Sequence, residues 1–186
     1  MCIRSITAAV AFGLAAVQPL HADDISDALQ SAMEAYEEGD INYALEELEY
    51  AKQLMVAQNA DALVQFLPAA PDGWTREVNT EMNAGLAMMG GGTGAEAEYQ
   101  SAGDSMTLTL MADNPMVGAM AGMIGNAGLM DGKIERVGRE KFMVMDGEIT
   151  GLIDNRILVK ATGGDVEAML ALIETMDFRA LKDFGR

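Results

Sequence analysis

The chain has 186 residues, of which half are apolar and only 5% are aromatic, and its 29 acidic against 12 basic side chains give a formal charge of −17. This length is sufficient for one hydrophobic core with a small appended element. A charge this negative argues against binding to nucleic acid and to anionic membrane surfaces, because both repel an acidic protein.

Residues 1–22 have the pattern of a secretory signal peptide. Arg4 precedes an apolar run over residues 6–17, and the small-residue ending at Ala22 indicates cleavage there. The run is too short to span a bilayer, and no later segment has the pattern of a membrane helix. Cleavage removes the only cysteine, the only histidine and one arginine, which leaves a net charge of −18. The mature chain therefore lacks the residues for a disulfide, a thiol nucleophile, a Ser-His-Asp triad or a Cys/His zinc site, and we expect it to be periplasmic or secreted.

Residues 23–66 are predicted to form an acidic helical hairpin. Residues 23–61 include 11 acidic side chains and a single basic one, Lys52. Small and apolar residues recur every three or four positions, as on one face of a helix. They are Ala28, Leu29, Ala32, Met33, Ala35 and Tyr36 in the first helix, and Ile41, Ala44, Leu45, Leu48, Ala51, Leu54 and Met55 in the second. Gly39-Asp40 is predicted to end the first helix and cap the second, while residues 57–66 either continue the second helix or fold back.

The pattern over residues 27–56 resembles the helix-turn-helix of a tetratricopeptide repeat. The matching positions are Ala32, Gly39-Asp40, Ile41, Ala44-Leu45, Leu48 and Ala51, in a single copy that lacks the usual closing proline. In that family small residues lie where the two helices cross. A lone repeat cannot bury its own apolar face. The resemblance therefore implies a neighbour, which is the 57–66 helix, the C-terminal domain or a partner chain.

A cluster of carboxylates gives the predicted hairpin a dense negative surface. Its members are Glu37, Glu38, Asp40, Glu46, Glu47 and Glu49. Such a surface either docks a basic partner or only keeps an exported helix soluble. Together with the tetratricopeptide resemblance, it makes these six residues the predicted partner-binding set.

Two prolines and a glycine over residues 67–73 predict a connector, followed by an α+β domain over residues 74–186. Strands are predicted at 74–78, 96–100, 105–112, 133–137, 141–145, 148–153 and 156–161. A two-residue hairpin turn is predicted at Asp154-Asn155, and helices are predicted to begin at Asn114-Pro115 and after Asp165. The predicted fold class is therefore α+β, with an N-terminal helical hairpin and a mainly antiparallel sheet with two covering helices.

The order of these elements, with the opening Pro71-Asp72-Gly73-Trp74, resembles the α/β/α sandwich of the PsbP-like group, which includes the small bacterial envelope proteins related to DcrB. The resemblance covers residue 67 to the end of the chain. It implies a non-enzymatic binding or accessory module that acts through partners. It assigns no site residue, because there is no diagnostic motif to match.

Methionine is unusually frequent, with 16 in the chain and 11 of them between Met82 and Met145. Met116, Met120 and Met123 would project three thioethers from one helix face, and thioethers are soft ligands that suit Cu(I). Methionine also fills irregular cores and forms adaptable apolar binding surfaces. This second explanation is favoured, because copper handling usually also involves histidine.

The glycine-rich segment Gly90–Ala95 matches the letters G-x-G-x-x-A. A dinucleotide site would need a strand before it and a helix after it, and a phosphate loop would need a lysine. Neither pattern is present, so a flexible loop is predicted.

Without a catalytic constellation, the sequence predicts a non-enzymatic, cofactor-free envelope accessory protein that binds a partner protein through the acidic hairpin, a methionine-lined apolar face or both. The alternative is a periplasmic protein that binds Cu(I) through methionines.

Overall fold

The computed structural model describes residues 21–79, 81–88, 90–118, 120 and 132–186, with side chains from Asp24 onward. The helices are α1 (His21–Glu38), α2 (Ile41–Val64), α3 (Met82–Met88), α4 (Val166–Glu174) and α5 (Phe178–Lys182). The strands are β1 (Thr75–Asn79), β2 (Thr93–Gln100), β3 (Ser105–Ala112), β4 (Lys133–Val137), β5 (Glu140–Met145), β6 (Glu148–Ile153) and β7 (Ile157–Thr162). Residues 115–118 and 120 are also helical, where a helix is predicted to begin at Asn114-Pro115.

The structure divides into two compact units, one that ends at Ala51 and one that runs from Lys52 to Arg186. The division falls within α2, before the proline-containing segment at which the sequence predicts a connector. Residues 57–64 continue α2 without a break, so this segment extends the second helix and does not fold back.

The second unit is built on a seven-stranded sheet in the order β1-β2-β3-β7-β6-β5-β4. All the strand pairs in this order are antiparallel. The predicted α+β class, with an N-terminal helical hairpin and a mainly antiparallel sheet, is thus confirmed. The turn predicted at Asp154-Asn155 is present, and both residues have positive φ. It is one residue longer than predicted, because three residues separate the paired Ile153 and Ile157.

One face of this sheet carries the hydrophobic core. Alternate residues of the central strands are fully buried there, including Leu108 and Leu110 of β3 and Val159 of β7. The core also includes Met169, Leu172 and Ile173 of α4, Leu181 of α5 and Leu63 near the end of α2. Burial of this continuous apolar face is the main stabilising contribution to the second unit.

The opposite face of the sheet is covered at β2 by α3. A Cβ atom on Gly94 would lie 2.7 Å from the Met82 sulfur, so with a larger residue here the ends of the α3 side chains would have to move. The Asn83 side chain fixes the contact, because it donates to the Gly94 carbonyl at 2.8 Å and accepts from the Gly94 N–H at 2.7 Å.

Tyr99 of β2 connects the sheet to the proline-containing segment. Its ring is fully buried, and its hydroxyl donates to the Pro68 carbonyl at 2.7 Å. Arg76 Nη1 donates to the carbonyls of Leu67 and Pro68, both at 3.1 Å. Residues 67 and 68 are therefore held against the sheet by three hydrogen bonds.

Tyr99→Phe is expected to lower the free energy of unfolding by about 1 kcal/mol at neutral pH, because the hydroxyl loses its bond to Pro68. Burial, opposed in part by the charge of Arg76, raises the pKa of Tyr99 from 10.0 to about 12. The folded state therefore favours the neutral phenol. The contribution of Tyr99 to the free energy of unfolding is complete below pH 10 and is lost as the pH rises through about 12.

Denaturant unfolding of both proteins at neutral pH and between pH 10 and 12 measures this effect. The stability difference between wild type and Tyr99→Phe should shrink with rising pH. A difference that stays constant across this range would contradict the role given to the buried hydroxyl.

Candidate functional site

The hairpin of the first unit is closed by a turn at Gly39-Asp40. The Gly39 N–H donates to the Tyr36 carbonyl at 3.1 Å, and the Asp40 N–H donates to the Ala35 carbonyl at 2.9 Å. This is the Schellman arrangement, which needs the left-handed φ of +86° that glycine supplies at position 39. The Asp40 carboxylate then accepts from the Tyr43 N–H at 3.1 Å, so Asp40 caps α2 as predicted.

The buried residues of the hairpin are alanines. Ala28, Ala32 and Ala35 of α1 and Ala44 of α2 are each at most 5% exposed. Their spacing of three or four positions places the three α1 residues on one helix face. Because a methyl group is small, alanine permits two helices to approach closely, and larger neighbours are left outside the contact.

Those larger neighbours form an apolar groove of about 380 Å³ along the hairpin. Its base includes Ala32 and Ala44, and its walls are Leu29, Met33 and Tyr36 of α1 and Ile41, Leu45 and Leu48 of α2. Each wall follows the same spacing, with residues four and three positions apart. The six wall side chains are 42–67% exposed, so the groove presents a continuous apolar surface to solvent.

The six predicted partner-binding carboxylates lie on the same unit as this groove. Glu37, Glu38, Asp40, Glu46 and Glu49 are exposed, and Glu47 is half-buried. None of the six lines the groove. From Asp24 to Ala51 the chain has nine carboxylates and no lysine or arginine. The groove is therefore apolar and belongs to a hairpin of strongly negative net charge, which favours a ligand that combines positive charge with an apolar face.

Sequence reasoning identified the carboxylates but not the groove. The signal was present as pairs of adjacent residues in which an alanine precedes a larger apolar residue: Ala28-Leu29, Ala32-Met33, Ala35-Tyr36 and Ala44-Leu45. Such pairs place a small and a large apolar stripe side by side on one helix. When the small stripe packs between the helices, the large stripe remains uncovered.

The methionines predicted as a copper alternative are only partly described. Met116 is 48% exposed and Met120 is half-buried, whereas Met123 lies outside the described residues. Within the described ranges, no three His, Cys, Asp or Glu side chains are grouped so as to hold a metal ion. Thioethers are a different class of donor, so Cu(I) binding through Met116, Met120 and Met123 stays a prediction.

The glycine-rich segment is a loop only in part: Gly90, Gly91 and Gly92 lie between α3 and β2, whereas Thr93, Gly94 and Ala95 belong to β2, so the loop predicted over Gly90–Ala95 is wrong for these last three residues. A helix precedes the glycines and a strand follows them, the reverse of the order that a dinucleotide site needs. Gly90, Gly91 and Gly92 have φ values of +97°, +90° and +106°. A Cβ on Gly92 would also lie 2.9 Å from the Ala112 carbonyl oxygen. Backbone conformation and close packing thus explain the glycine run without a nucleotide.

Among the helices that the structure describes, none combines the length and the apolar character needed to cross a membrane. Comparisons with known protein families, with curated proteins and with solved structures found no match to this chain.

Proposed function

We propose that this protein is an exported, non-enzymatic accessory protein of a bacterial envelope, and that it binds a basic amphipathic helix of a partner protein in the apolar groove of its hairpin. The observation that supports the proposal best is the groove itself, with six large apolar side chains exposed on two helices. The signal-peptide pattern supports export, either to the periplasm or to the medium.

The shape of the groove favours a helix as its occupant. Both walls repeat at positions i, i+4 and i+7, and this is the spacing at which a third helix packs ridges into the grooves between neighbouring side chains. A single helical hairpin of the tetratricopeptide type also needs a neighbour to cover its apolar face. A helix about 18 residues long would extend about 27 Å along the groove.

The net charge of the hairpin favours a basic occupant over a second copy of this chain. Each hairpin has nine carboxylates and no lysine or arginine between Asp24 and Ala51, so two copies would repel each other by their net charge. Like-charge repulsion of this kind opposes association, whereas lysine and arginine on the partner speed its approach and select it.

Three synthetic peptides test the proposal against the full mature chain by fluorescence anisotropy. The first has leucines on one helical face and lysines elsewhere, the second replaces the lysines with glutamate, and the third keeps the lysines but replaces the leucines with serine. We expect the first peptide to bind at least about tenfold more tightly than either of the others, and its affinity to fall as salt is added.

Equal binding of the leucine-lysine and serine-lysine peptides would show that only charge is recognised, and this would overturn the groove as the site. Tighter binding of the glutamate peptide than of the leucine-lysine peptide would overturn the proposal that the partner is basic.

A further inference from the structure

A second concave site lies on the second unit, at one corner of the sheet. It is a cleft of about 790 Å³ between the turn that joins β4 to β5 and the corner that joins α4 to α5. Three of its lining side chains are cationic, namely Arg139 from the strand side and Arg179 and Lys182 from the helix side. Met176 and Phe178 give it an apolar wall. Its volume is in the range typical of sites for small molecules.

The two arginines of this cleft are available to a ligand. Arg139 and Arg179 are exposed, and the guanidinium of neither makes a hydrogen bond or ion pair with any residue that the structure describes. By contrast, Arg76, Arg156 and Arg186 each donate to a carbonyl or a carboxylate. Arg136 is likewise exposed and without a partner among the described residues, but it lies on the sheet face away from the core. Arg139 and Arg179 share one cleft and stay unpaired although the second unit has 19 acidic and 11 basic side chains, so carboxylate partners are abundant.

The two carboxylates that line the cleft are already engaged. Glu140 pairs with Lys182, with 2.6 Å between Oε1 and Nζ. The Asp177 carboxylate accepts from the N–H groups of Arg179 and Ala180 at 3.0 and 2.9 Å, and so caps α5. Neither carboxylate is thus bound to a guanidinium, and the cleft has a net positive charge in a strongly negative protein.

We propose that this cleft binds a small oxyanion, a carboxylate or a phosphate monoester, that carries an apolar group. The guanidiniums of Arg139 and Arg179 would hold the oxyanion, because their planar arrangement of N–H donors matches two oxygens of such a group. Met176 and Phe178 would contact the apolar group. Phe178 is held in place by the buried Phe142, with 5.8 Å between the ring centroids. This site is independent of the hairpin groove.

Phenyl phosphate, benzoate and inorganic phosphate are suitable probes for isothermal titration of the full mature chain at low ionic strength. We expect phenyl phosphate or benzoate to bind with a Kd of about 1 mM or tighter, and inorganic phosphate to bind at least about fivefold more weakly, because it cannot use the apolar wall. The tighter of the two aromatic probes identifies the head group.

A pair of double variants separates the cleft from the general charge of the region. Arg139→Gln with Arg179→Gln is expected to weaken aromatic-probe binding at least about tenfold. The matched control is Arg136→Gln with Lys141→Gln, which removes the same charge. Arg136 and Lys141 are exposed cross-strand partners, and because their neighbours Val137 and Phe142 are buried in the core, they lie on the other face of the sheet.

The control is expected to leave affinity within about twofold of wild type. Equal weakening by both double variants, equal binding of inorganic phosphate, or no aromatic-probe binding at 10 mM, a concentration about tenfold above the expected Kd, would each overturn the proposal. Arg139→Lys with Arg179→Lys should retain part of the affinity, which guards against loss of binding through unfolding.

Discussion

Gly151→Ala is expected to lower the free energy of unfolding by about 2–3 kcal/mol, at the upper end of what overpacking a core costs. Gly151 lies directly opposite Phe142 in the pairing of β5 with β6. A Cβ on Gly151 would lie 2.4 Å from two atoms of the Phe142 ring, far inside van der Waals contact. The ring is fully buried and packs against Phe178, so it has little room to move.

Thermal and denaturant unfolding measure this effect, with Gly103→Ala as the matched control. Gly103 has open space where its Cβ would be, and it does not adopt a positive φ. The control should therefore remain within about 0.5 kcal/mol of wild type. Combining Gly151→Ala with Phe142→Leu should cost less than the sum of the two single changes, because the smaller side chain relieves the clash. A Gly151→Ala variant as stable as the Gly103→Ala variant would show that the ring is not held as described.

Met33→Ser with Leu45→Ser is expected to weaken binding of the leucine-lysine peptide about 10- to 30-fold. The two side chains are 60% and 59% exposed and lie on opposite walls of the groove. Covering each with a partner helix contributes about 1 kcal/mol, since each still has more than half of its surface to bury. The substitution changes no charge, so it separates apolar recognition from electrostatic attraction.

The matched control for this variant is Tyr43→Ser with Tyr50→Ser. These tyrosines are 46% and 51% exposed on the same hairpin, but they do not line the groove. The control should bind the peptide within about twofold of wild type. If the two double variants weaken binding equally, recognition is not localised to the groove.

Much of the sheet is predictable from the sequence because alternation of apolar and polar residues marks a strand with one buried face. The bounds of β3, β4 and β6 are those predicted. β2 begins three residues before the predicted start at residue 96, because the small residues Gly94 and Ala95 have no visible alternation. Gly94 lies next to Met82 and Leu86 of α3, and no pattern predicted that short helix, whereas Ala95 lies on the opposite face of the sheet, in the core.

The candidate site was predictable only in part, for a physical reason. Charge can be counted along a sequence, so the negative surface of the hairpin was evident. Exposure depends on which of two adjacent stripes packs inward. In α1 that is the alanine stripe rather than the larger stripe of Leu29, Met33 and Tyr36. Likewise, the cationic cleft was not predictable from the sequence. Arg139 lies about 40 residues before Arg179 and Lys182 in the chain, and only the fold brings the three side chains together.

The most direct test of the proposed function is to record the backbone amide NMR spectrum of the full mature chain while the leucine-lysine peptide is added. We predict that the largest chemical-shift changes fall on the groove walls, formed by Leu29, Met33 and Tyr36 of α1 and by Ile41, Leu45 and Leu48 of α2. Amides of the sheet should change little. Changes centred on the sheet, or spread over the acidic residues without a maximum at the groove, would contradict the proposal that the hairpin groove binds a basic amphipathic helix.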